Sequence, residues 1–161
     1  MNDSHIAAAI HRRDDITLLR PAHLLPTEEF IEARVREVWL EIEAAGCWRY
    51  PVWVERETGI IMDGHHRREF ALRRSYAWVP CLMLDYSQVI LESRHPDLEL
   101  TPEVVISRGL AGCPFPAKTT RHILRDSVAL DCEVSLAALR DADLPHNGSI
   151  GSLQSDAQRN R

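Results

Sequence analysis

Cysteine is sparse in this 161-residue chain: Cys47, Cys81, Cys113 and Cys132 stand far apart. There is no Cys-x-x-Cys pair and no zinc-ligand spacing, so neither a disulfide framework nor a zinc module is signalled, and the four read as reduced, partly buried thiols. No apolar run is long enough to span a bilayer, and the first residues lack the apolar centre of a signal peptide. The expected compartment is therefore the cytoplasm, with no membrane partner. An excess of basic charge is also missing: 19 Lys and Arg stand against 24 Asp and Glu, a formal net charge of -5. That argues against broad nucleic-acid binding while permitting a local basic pocket. Neither a Walker A loop nor a GxGxxG is present, so the usual nucleotide folds are not signalled. No internal repeat occurs. What remains is ordinary for one soluble globular domain able to bury a core, with 45% hydrophobic and 27% charged residues.

The chain divides into a polar N-terminal segment over residues 1–15, expected to be loosely held, one domain over 16–144, and a tail over 145–161 rich in Asn, Gly, Ser and Gln, expected to be disordered. Residues 16–25 read as a strand interrupted at Pro21, which marks an edge or bend. Thr27 is expected to cap a helix carrying Ile31, Val35, Val38, Trp39 and Ile42 at helical spacing and closing at Gly46. Glu28 and Glu29 would then lie in its first turn, where they complement the dipole. Strands are expected over 50–55 and 60–62 around a turn at 57–59, and a helix from Gly64 to about Ser75 burying Phe70, Ala71 and Leu72. Residues 79–86 read as a central apolar strand that 87–91 extends or pairs with. Thr101-Pro102-Glu103 opens a helix with Val104, Val105 and Leu110 on its apolar side. A Pro-bounded loop follows over 111–116, and a short helix with Leu136 and Leu139 over 135–141. Strands alternating with helices, but with hairpin-like neighbours, predict an α+β fold: a compact mixed β-sheet flanked by helices.

Two constellations carry chemistry. Three apolar residues, Ile60-Ile61-Met62, lead into Asp63-Gly64-His65-His66-Arg67, a tight turn that opens a helix, with Asp63 as its expected N-cap. Unpaired amides and the positive dipole end favour an anion there, and three basic side chains in the first turn oppose the dipole unless an anion joins them. A solvated basic face is the plainer alternative. In Lys118-Thr119-Thr120-Arg121-His122, two cations, two hydroxyls and an imidazole fall within five residues, the mixture a phosphate wants. Here the alternative is a polar loop entering a strand. Both clusters together point to a polyphosphate ligand.

Asp63-Gly64-His65-His66-Arg67 followed by Val79-Pro80 and Asp85-Tyr86 resembles the ParB/sulfiredoxin-like superfamily. Within it, the further match of Phe115-Pro116-Ala117-Lys118-Thr119-Thr120-Arg121-His122 resembles the free L-serine kinases. The resemblance runs from about Leu19 to His122. It implies phosphoryl transfer from ATP or ADP, with Mg²⁺, to the hydroxyl of free L-serine, giving O-phospho-L-serine. It further implies nucleotide phosphates against Gly64, His65, His66 and Arg67. Lys118, Thr119, Thr120, Arg121 and His122 would close the same site, with Asp63 orienting the metal directly or through water. Leu24-Leu25-Pro26-Thr27-Glu28-Glu29 matches the family segment that carries the general base, which maps to Glu28, with Glu29 second. The chain departs from the pattern where Thr27 replaces histidine, where Ala117 replaces proline, and where Leu91-Glu92-Ser93-Arg94 lacks the tryptophan expected before the arginine. A non-catalytic nucleotide-binding regulator of the ParB kind is the rival. It would need a DNA-binding helix-turn-helix after the site, where this chain shows only a short helix and a polar tail. Sulfiredoxin chemistry is excluded, because residues 63–68 contain no cysteine.

Overall fold

The computed structural model describes residues 16–126 and 131–144. The expectations for 1–15 and 145–161 lie outside the described residues. The fold is α+β. A four-stranded mixed sheet has the order β1 (Ile16–Leu19), β5 (Val79–Leu84), β3 (Val52–Glu55), β4 (Ile61–Asp63). β5 runs antiparallel to β1 and parallel to β3, and β3 is antiparallel to β4. β5 is central, and its near-continuous apolar run VPCLML is what a strand covered on both faces requires. β1 lies at the edge and ends before a 3₁₀ turn at Pro21–His23, as Pro21 dictates.

Helices α1 (Glu32–Ala45) and α2 (His65–Arg73) lie against one another beside this sheet. Phe70 of α2 is fully buried and sits at the centre of an aromatic group, with ring centroids 5.8 Å from Trp39, 5.8 Å from Trp48 and 5.4 Å from Tyr76. Two smaller sheets complete the molecule: β2 (Cys47–Trp48) with β8 (Val134–Ser135), and β6 (Val89–Ser93) with β7 (Thr120–Leu124). α3 (Pro102–Leu110) lies between β6 and β7 in the chain, and α4 (Leu136–Arg140) follows β8.

Several expectations are corrected. Thr27 is not the cap of α1. The helix starts five residues later, behind Ile31, because residues 28–30 are held extended by a parallel bridge between Glu28 and Phe115. In that bridge Phe115 N–H donates to Thr27 O and Glu29 N–H donates to Phe115 O, both at 2.8 Å. Glu28 and Glu29 accordingly precede the helix rather than forming its first turn. Asp63 is the last residue of β4, and Gly64 takes the N-cap position of α2 at φ +104°, a region that favours glycine. Residues 89–93 do not extend the central strand but pair with β7, after a 3₁₀ turn at Tyr86–Gln88. Leu72, Val104 and Leu110 are exposed, while α3 buries Val105 and Gly109. Gly109 is essential to that contact: a Cβ there would meet Ile60 Cγ2 at 2.7 Å and Thr27 Cγ2 at 3.0 Å. All four cysteines are free; Cys81 and Cys132 are buried, Cys47 is half-buried and Cys113 exposed.

Candidate functional site

Gly64 brings the chain from the sheet edge into α2 with its backbone against β3, where a Cβ would lie 3.1 Å from Val52 Cγ2. The start of α2 faces the extended segment 27–31. His65 Nε2 accepts the amide N–H of Thr27 at 3.1 Å and of Glu28 at 3.2 Å, and His66 Nε2 accepts the amide of Ile31 at 3.0 Å. Thr27 is fully buried beneath this contact and donates its hydroxyl to Ile61 O at 2.8 Å.

From the other side comes the loop before β7. Lys118 is a non-glycine residue at φ +61°, which turns the backbone so that its own amide and that of Thr120 converge. Glu28 receives them: Oε2 accepts Lys118 N–H at 3.1 Å, and Oε1 accepts Thr120 N–H at 2.5 Å and the Thr120 hydroxyl at 2.6 Å.

Between these segments lies a polar cavity of about 340 Å³. Glu28, Asp63, Gly64, His65 and His66 line it together with Lys118, Thr120, Arg121 and His122. Residues 63–66 and 118–122, more than fifty positions apart, thus meet around one space. Three expected residues are placed elsewhere. Arg67 donates to the carbonyls of Tyr50 and Pro51 and to Asp63 Oδ2, each at 3.0 Å, and faces a neighbouring cavity. Thr119 is buried and donates its hydroxyl to Pro116 O at 2.6 Å. Glu29 is exposed and lines a different pocket from the 340 Å³ one. Sequence reasoning missed Arg34 and Arg94, which also line the polar cavity. Arg34 follows the helical periodicity of an exposed face, and Arg94 lies just past a strand whose pairing no local pattern announces.

The neighbouring cavity measures about 530 Å³ and shares Arg34, Asp63, Gly64 and His66 with the first. Its remaining wall includes the apolar Val38, Ile42 and Ala45 of α1.

Burial dominates the electrostatics. It pushes the His65 imidazole down to about 3 and His122 down to about 4, and it also lowers His66. His122 Nε2 lies 3.1 Å from the Tyr86 hydroxyl. Burial holds the Tyr86 phenol well above its usual range, so it is neutral beside the ring. The histidines therefore act as neutral hydrogen-bonding groups, and positive charge around the cavity comes from Arg34, Arg94, Lys118 and Arg121. Among the described residues no group of three or more His, Cys, Asp or Glu has the arrangement of a metal site, and no helix is long and apolar enough to cross a membrane.

No family model matches the chain. An ATP-dependent L-serine kinase from Desulfurococcus mucosus is 30% identical over 118 residues, which take in 66% of this chain and 46% of the relative. A ParB-like protein from Sulfolobus acidocaldarius is 30% identical over 83 residues, 52% of this chain and 41% of that protein. The chain thus spans less than half the length of these curated relatives. Among solved structures, a free serine kinase in complex with AMP superposes with a TM-score of 0.69 at 14% identity, covering 78% of this chain and 93% of the kinase. The mixed sheet, its flanking helices and these likenesses give the chain a ParB-like fold, similar in sequence and architecture to the free serine kinases.

Proposed function

We propose that this protein is a nucleotide-dependent kinase that transfers a phosphoryl group from ATP or ADP to the hydroxyl of free L-serine, giving O-phospho-L-serine. The observation that carries the reading is the single polar cavity lined by both 63–66 and 118–122, with the Glu28 carboxylate in its wall. The similarity to ATP-dependent L-serine kinases supports it.

Phosphoryl transfer needs positioning and charge stabilisation more than covalent chemistry. Gly64 and the amides of His65 and His66 receive the phosphates at the positive end of α2, and Arg67 keeps that turn in shape through Asp63. Lys118 and Arg121 meet charge developing on the transferred group, while Thr120 and His122 line the opposite wall and the buried Thr119 braces the loop through Pro116 O. The apolar side of the larger cavity suits the nucleoside. Glu28 accepts the serine hydroxyl proton as the oxygen attacks phosphorus. An ionised carboxylate has about four lone-pair sites, and the protein donors to Glu28 fill three of them.

Mg²⁺ binds through one or two carboxylates plus phosphate oxygens rather than an all-protein cage. Asp63, half-exposed at the cavity and ion-paired to Arg67 through Oδ2, fits that demand. When bound, the ion neutralises phosphate charge.

The test is direct: purified protein, Mg²⁺, and ATP or ADP are incubated with a panel of hydroxy amino acids, and the products are read by phosphorus NMR. O-phospho-L-serine is the expected product. The similarity to a ParB-like protein favours a second reading, a nucleotide-binding regulator. Nucleotide binding without any phosphorylated acceptor would select it and overturn the kinase.

A further inference from the structure

The two histidines at the start of α2 sit where a phosphate-binding role would use their protons, yet their hydrogen bonds run the other way. His65 Nε2 accepts two backbone amides and His66 Nε2 accepts one, all from the segment that carries Glu28. A ring nitrogen that accepts an N–H carries no proton, so each neutral ring holds its proton on Nδ1. Three amides of residues 27–31 would otherwise go unsatisfied. Glu28 and Glu29 are held extended, and Ile31, at the N-cap of α1, has no side-chain oxygen to offer.

We propose that His65 and His66 are positioning residues: Nδ1-protonated acceptors that clamp residues 27–31 onto the first turn of α2 and so set the distance between the phosphate-binding turn and the Glu28 carboxylate. The carboxylate is fixed from both ends. The amides of Lys118 and Thr120 hold its oxygens, the His65 ring holds its backbone amide, and the His66 ring holds the same segment three residues on, at Ile31. One motif thus serves two purposes, with the backbone of 64–66 turned to the nucleotide and the rings to the base. This rests on the kinase reading for its kinetic consequence but not for its tautomers.

The experiment has two arms. In the first, long-range proton–nitrogen correlation spectra are recorded on the ¹⁵N-labelled full chain at neutral pH, with His65→Gln and His66→Gln used for assignment. Both rings are expected to show a bare Nε2 and a protonated Nδ1. A ring with a proton on Nε2 overturns the proposal. In the second, nucleotide affinity and turnover are compared in two variants. His66→Gln places a carbonyl oxygen near the position of Nε2, whereas His66→Lys supplies the cation of a phosphate-binding role and removes the acceptor. The glutamine variant is expected to turn over close to the unsubstituted protein. The lysine variant is expected to lose on the order of 10²-fold in kcat, the effect of a small misplacement, with nucleotide Kd little changed in either. The reverse ranking, with lysine active and glutamine failing to bind nucleotide, overturns the clamp. Absence of phosphoryl transfer in the unsubstituted chain would remove the kinase reading and leave the spectra to decide the clamp.

Discussion

Glu28 is supported by donors 90 and 92 positions away in the chain, and its value to the proposed reaction lies in having few ways to move. Glu28→Gln keeps the shape but cannot take up a proton as carboxylate does. Turnover is expected to fall by ~10²- to 10⁴-fold, while nucleotide affinity measured by calorimetry stays nearly constant. A variant with undiminished rate would refute the assignment. At this scale the sequence was most legible. Glycine, the histidines and the cationic segment announced themselves because their chemistry is written in consecutive positions. The partners of the histidine rings were illegible, since an imidazole accepting amides from 35 to 38 residues upstream leaves no mark in the local pattern. The placement of Arg67 on two backbone carbonyls was hidden for the same reason.

Among the elements, α1 shows how a helix start can be set from outside. Thr27 and the two glutamates look like a capped first turn, but the bridge from Glu28 to Phe115 wins, and the amide of the actual N-cap residue, Ile31, finds His66 instead. The end of α1 was readable, because Gly46 adopts φ +69° and its amide closes on Ile42 and Glu43 by local geometry alone. α3 approaches closely enough that Gly109→Ala must displace Ile60 or Thr27. Overpacking of this kind costs about 1–3 kcal/mol, and urea unfolding should show it, with a loss of turnover because Thr27 underlies the base. In the loop before β7, Lys118→Gly separates shape from charge. Glycine accepts the left-handed backbone readily, so the unfolding midpoint is not expected to fall, whereas turnover should drop with the lost cation. A clear loss of stability would count against the backbone argument.

For the molecule as a whole, the α+β class and the central strand followed from the alternation of elements and the apolar run at 79–84. The two small sheets did not, because their strands pair across 26 or more residues of intervening chain and nothing in a two- or five-residue strand names its partner. Burial of imidazoles gives the fold a predictable response to acid. His65 and His122 titrate in the unfolded chain near 6.5 but in the native state only near 3 and 4. The unfolded state therefore binds protons first as pH falls, and stability must drop. The contribution is fully present above about pH 6.5 and erodes below it, before most unfolded carboxylates titrate at about 4. Urea midpoints measured from pH 7.5 down to 5 should decline. A flat profile would mean these rings are not held neutral.

Because, among the described residues, the oxygens of Glu28 are met by residues 118 and 120, the carboxylate is not aimed until that distant loop has closed on it. Refolding kinetics should register this. Tryptophan fluorescence, dominated by Trp39, Trp48, Trp53 and Trp78 near the main sheet, is expected to recover ahead of the proposed kinase turnover. The delay would measure how long the last long-range closure takes.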